Sequence, residues 1–134
     1  TILRGGRRHT ADGLWYEPTL IAPTSNDSEI VQHEVFGPVL TFQTFVDEDE
    51  AVALANSTAY GLSATLFTGS ADRAKRVGSA LRAGTTWVNC FLVRDLTAPF
   101  GGLGISGLGR EGGDHALEFH ADLKTLQIKD DTTT

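Results

Sequence analysis

At 134 residues the chain fits one modest domain, of a size that buries roughly two-thirds of its unfolded surface. Its 40% apolar and 21% charged residues are ordinary for a globular protein, and a net charge of −6 argues against nucleic-acid binding. No apolar run approaches the roughly 18 residues of a membrane span, and the single Cys90 excludes an internal disulfide and suits a reducing cytoplasm.

The chain opens on Thr1 rather than Met, which points to a processed piece or a fragment. Residues 1–25 read as short extended pieces broken at Gly5-Gly6 and Asp12-Gly13. Within them Trp15 to Ile21 alternates as a strand, which Pro18 moves to a sheet edge. The run Glu34-Val35-Phe36-Gly37-Pro38-Val39 is stiff: Pro38 fixes a turn and Gly37 permits close backbone approach. Val39 to Val46 is rich in β-branched and aromatic residues and predicts a strand.

Asp47 then caps a helix, with Glu50 as its reciprocal partner, and Tyr60-Gly61 breaks it. Ser63 to Thr68 reads as another strand. Ser70 caps a helix whose Ala74, Val77, Ala80 and Leu81 repeat at helical spacing, and Gly84 reads as its stop. Thr85 to Asn89 is again strand-like. The alternation predicts an α/β unit, a parallel sheet with crossover helices.

From Phe91 to Gly113 periodicity fails and glycines cluster. Stiff Pro99 and bulky Phe91, Leu92 and Phe100 favour an ordered, functional loop. A short helix follows over about Asp114 to His120, then a period-two strand from Asp122 to Lys129 and a frayed tail. The expected organisation is therefore an α/β segment over 1–121, a separate strand over 122–129 and a disordered tail over 130–134.

Glu34 offers a carboxylate that can accept two hydrogen bonds from a vicinal diol such as a ribose, and Phe36 offers a flat face. The competing reading is a surface Glu and a core Phe beside a turn. Arg94 either pairs within its loop, with Asp95, or presents its guanidinium fork to a substrate carboxylate. Arg110 and Glu111 read as a structural pair tying down the Gly-rich loop. Cys90 ends an apolar strand, where a buried inert thiol is expected rather than a nucleophile. His9, His33, His115 and His120 lack metal-ligand spacing with it.

The ordered set of motifs resembles the C-terminal part of an NAD(P)-dependent aldehyde dehydrogenase. It comprises Leu3-Arg4-Gly5-Gly6, Glu17-Pro18-Thr19-Leu20, Glu34 to Val39, Tyr60-Gly61-Leu62-Ser63-Ala64, Trp87-Val88-Asn89 and Pro99 to Glu111. The resemblance implies that Glu34 holds the nicotinamide ribose of NAD or NADP and that Phe36 lies beside the nicotinamide. It implies further that Phe100 lines the substrate funnel and that Leu123 to Ile128 is an oligomerisation strand joining a homo-oligomer. Val93-Arg94-Asp95-Leu96 is most similar to the hydroxymuconic semialdehyde dehydrogenases, whose aldehydes bear a carboxylate that suits Arg94.

The family's nucleophilic cysteine, general-base glutamate and oxyanion-stabilising asparagine match nothing in these residues, so no catalytic residue is assigned. The chain is expected to be inactive alone. Two rivals follow: a stand-alone interaction module working through 122–129, and a thiol enzyme built on Cys90.

Overall fold

The computed structural model describes residues 1–10 and 12–129; the expected frayed tail lies outside them. Strands β1 (Ile2–Arg4), β2 (Thr19–Ile21) and β3 (Val39–Thr41) form one sheet in that order. β1 is antiparallel to β2, and β2 is parallel to β3 with helix α1 (Glu29–Gln32) in the crossover. Helix α2 (Glu48–Ala55) leads to a second sheet of two parallel strands, β4 (Ser63–Leu66) and β5 (Thr85–Val88). Helix α3 (Ala71–Ala80) crosses between them, and α4 (Gly113–His120) closes the described elements.

The α/β class and the parallel crossovers are therefore present, but the single sheet is split in two. β3 bonds β2 and not β4. After Phe42 N bonds Ile21 O at 2.8 Å the ladder stops, well short of Val46; the Gln43 side-chain Nε2 donates to Asn26 Oδ1 at 3.3 Å. The strand expected over Trp15 to Ile21 shrinks to its last three residues. Pro18 brings no N–H to a ladder, and Tyr16 makes only an isolated bridge to Arg8.

Helix starts follow their capping residues. Asp47 accepts from Glu50 N at 2.9 Å, and Glu50 Oε2 reaches back to Val46 N at 2.7 Å. Ser70 Oγ accepts from Arg73 N at 3.3 Å. The end of α3 differs from expectation. Leu81 leaves the helix in an extended conformation (φ −70°, ψ 126°), so Gly84 is not its stop. Gly84 instead lets the Gly-rich loop lie against β5: a Cβ there would fall 1.7 Å from the Gly101 carbonyl oxygen.

The loop from Phe91 to Gly113 is ordered by specific ties. Trp87 Nε1 donates to Val93 O at 2.7 Å, and Phe91 packs edge-on against Trp87 at 6.0 Å. Phe100 and Glu111 exchange two backbone bonds of 2.7 and 2.8 Å. Leu103 N bonds Gly61 O at 2.8 Å, and Gly61 N bonds Ser106 Oγ at 2.9 Å.

The core is thin. Among the described residues only two side chains, Val77 of α3 and Thr19 of β2, are buried, together with the backbone of Gly61 and Gly102. The accessible surface is 10687 Å², against the roughly 6,800 Å² of a compact monomer of this mass. About half of the unfolded surface is thus buried, not two-thirds. Residues 121–129 leave α4 without pairing to any strand among the described residues, and Leu123 is 95% exposed. No described helix is long and apolar enough to cross a membrane.

Candidate nucleotide and substrate site

Between the two sheets lies a cavity of about 750 Å³. Its walls bring Glu34 and Phe36 to the same place as Tyr60, Leu62 and Arg82. The short α1 ends at His33 in an extended conformation (φ −122°, ψ 131°), which turns the following residues toward the cavity. Glu34 N then donates to Tyr60 Oη at 3.2 Å. No donor among the described residues reaches the Glu34 carboxylate. Phe36 is 98% exposed, which removes the reading of a core Phe. Nothing but a Val35 methyl, 3.9 Å from a built Cβ, stands over Gly37, so the approach to both residues is open.

Arg94 and Phe100 form a second cluster that does not line this cavity. The guanidinium carbon of Arg94 sits 5.2 Å from the Phe100 ring centroid, in cation–π range. Arg94 Nη2 also donates to Glu111 Oε1 at 2.6 Å. Glu111 therefore pairs with Arg94 and not with Arg110, as its sequence neighbour had suggested. Arg110 instead donates to the carbonyls of Gly102 (2.9 Å) and Gly109 (2.6 Å), which does tie the Gly-rich loop. Asp95 is occupied elsewhere: hydrogen bonds from the Thr97 hydroxyl and then the Thr97 amide hold its carboxyl below the usual range.

Cys90 is half-buried and lines neither cluster. Among the described residues no three His, Cys, Asp or Glu side chains converge as metal ligands.

Sequence reasoning missed the roles of two side chains, one at the cavity and one at a strand end. Tyr60 reads in sequence as a helix break and as part of the family motif, and no local pattern announces a partner 26 residues away. Asn89, at φ 54°, finishes β4 with its side chain: its amide donates to Thr68 O and accepts from Thr68 N, both at 2.8 Å. An Asn directly after a strand, followed by a break in periodicity, was the available signal.

Residues 1–126 match the model of the aldehyde dehydrogenase family. A 2-aminomuconic 6-semialdehyde dehydrogenase of Pseudomonas sp. is 46% identical over 90% of this chain and 24% of its own length. A 2-hydroxymuconic semialdehyde dehydrogenase of Pseudomonas sp. (strain CF600) is also 46% identical, over 96% of this chain and 28% of its own. Among solved structures, a betaine aldehyde dehydrogenase from Staphylococcus aureus in complex with NAD+ superposes with a TM-score of 0.82 at 44% identity. That match covers 89% of this chain and 24% of the other. The chain thus spans about a quarter of the length of the relatives it matches. The family match over nearly its whole length, with motifs in order and a shared fold, makes the chain a member of the aldehyde dehydrogenase family.

Proposed function

We propose that this chain supplies the nicotinamide-riboside face of an NAD(P)-dependent aldehyde dehydrogenase acting on a carboxylate-bearing semialdehyde in the cytoplasm. One observation carries the reading: Glu34, whose carboxylate meets no donor among the described residues, lines the same open cavity as the exposed ring of Phe36. The donor set fits the group. Two ribose hydroxyls supply the donors that Glu34 lacks, and the ring and the Gly37 clearing accept a flat heterocycle. A bound nicotinamide would supply a two-electron hydride acceptor, and Glu34 and Phe36 are the residues of this chain that would hold it. This chain's own residues orient the riboside and select the substrate.

Arg94 is the substrate's carboxylate anchor in this reading. Its fork suits a carboxylate bidentately, and relatives named for muconic semialdehydes support that substrate class. The nucleophile and base come from outside these residues, so the isolated chain forms no NADH from an aldehyde. The apolar side chains of Leu123, Leu126 and Ile128 support assembly of a homo-oligomer through residues 122–129.

The test is steady-state kinetics on the full-length enzyme carrying this segment. Glu34→Gln raises KM for the nucleotide about tenfold or more, because charged hydrogen bonds contribute roughly 1.5–3 kcal/mol each, and leaves KM for the aldehyde near its starting value. An unchanged nucleotide KM refutes the assignment.

A further inference from the structure

We infer that Tyr60 is a positioning residue for Glu34, the staple that holds the carboxylate in the cavity between the two sheets; the inference rests on the nucleotide reading above. Among the described residues, one long-range hydrogen bond joins residues 1–46 to residues 47–129. It is the bond from Glu34 N to Tyr60 Oη, at 3.2 Å. The other bond across that boundary, Val46 N to Glu50 Oε2, is local to the start of α2.

The segment that Tyr60 holds has little else to hold it. α1 is four residues long, has no side-chain cap and buries none of its residues. Gln32 is tied to Asn26 O at 2.7 Å, which steadies the helix but not the residues after it. Between His33 and Pro38 the remaining bond, Gly37 N to Val35 O at 2.8 Å, is internal to the turn. Val39 N then returns to Gly37 O, and Thr19 N to Pro38 O, so the chain is fixed again only where β3 begins.

Tyr60 itself stands on firm ground. It precedes Gly61, whose carbonyl accepts from both Gly84 N (3.0 Å) and Leu103 N (2.8 Å) and whose amide is held by Ser106 Oγ. A rigid junction thus presents a hydroxyl to the one backbone amide adjoining the carboxylate. Without that hydroxyl the segment keeps its residues but loses its register over the cavity, and affinity for the riboside falls through misplacement of Glu34.

The experiment is a double-mutant cycle on the full-length enzyme, read by fluorescence titration of NADH. Tyr60→Phe keeps the ring and removes the hydroxyl. It weakens NADH binding roughly three- to tenfold, the loss of one hydrogen bond's worth of positioning. In a Glu34→Gln background the same change has no further effect, because Tyr60 acts only through Glu34. Additive losses in the double variant overturn the inference, as does an unchanged affinity in Tyr60→Phe alone. Amide hydrogen exchange of the unmodified enzyme provides a check that needs no variant. The Glu34 amide is protected, and exchange at the rate of an open amide also overturns the inference. If Glu34→Gln alone leaves NADH binding intact, it is the nucleotide reading that falls.

Discussion

Asn89 shows how much one side chain contributes where a strand runs out. Its amide replaces a missing ladder partner for Thr68, and its φ of 54° suits Asn better than most residues. Asn89→Ala is expected to destabilise the folded protein by about 1–3 kcal/mol, since two bonds and a tolerated left-handed conformation are lost together. Asn89→Gly keeps the conformation and loses less; denaturant melts order the three proteins. Arg94 makes a functional prediction at the same scale. Its guanidinium is shared between Glu111 and the face of Phe100, so an incoming carboxylate meets a group already oriented. Arg94→Ala in the full-length enzyme lowers kcat/KM about tenfold or more for acidic aldehydes and little for neutral ones; equal losses for both contradict the anchor. The Glu34 to Val39 run was legible because Gly and Pro punctuate it. The Arg94 partner was not, because Glu111 lies 17 residues on and only the loop's hairpin brings it back.

At the scale of elements, α2 and α3 were legible from their caps, and the strands were legible in place but not in length. Capping is a local matter of three or four residues, whereas a strand ends where its partner does. That is why β3 stops at Thr41 and β4 at Leu66 although both sequences continue in strand-like residues. The contact of α2 with α3 is ionic. Glu48 at the start of α2 pairs with Arg76 at 2.5 Å and Arg73 at 3.1 Å. The hydrogen bond from Arg76, aided by Arg73, lowers the Glu48 carboxyl to about 2 from 4.5, against a smaller opposing effect of desolvation. Because the folded value is the lower one, the clamp is fully present above about 4.5 and is lost as pH falls toward about 2. Thermal melts of the wild type and Glu48→Gln should therefore differ at neutral pH and converge across that interval. The gap also narrows in high salt, since the pairs are exposed. Curves that stay parallel to pH 2 contradict the clamp.

At the scale of the whole molecule, the surface is the dominant fact. With two small sheets and two buried side chains among the described residues, and 10687 Å² exposed, the chain presents much apolar area to water. Phe42, Phe45 and Phe67 are all more than half exposed. The split of the expected single sheet has the same origin, since β3 has a strand on one side only and β4–β5 is a ladder of two. On its own the chain should bind a hydrophobic dye strongly and unfold over a broad temperature range. A sharp transition without dye binding contradicts that expectation. The cavity sits at the junction of these two thin units and is lined by residues from both.

The most direct measurement of the proposed nicotinamide-riboside site is binding of nicotinamide mononucleotide and of ADP, each on its own, to the full-length enzyme and its Glu34→Gln variant. A loss of about tenfold or more is expected for nicotinamide mononucleotide, from the charged bonds removed, and none for ADP. Equal losses for both halves of the dinucleotide, or no loss for the mononucleotide, would contradict the assignment.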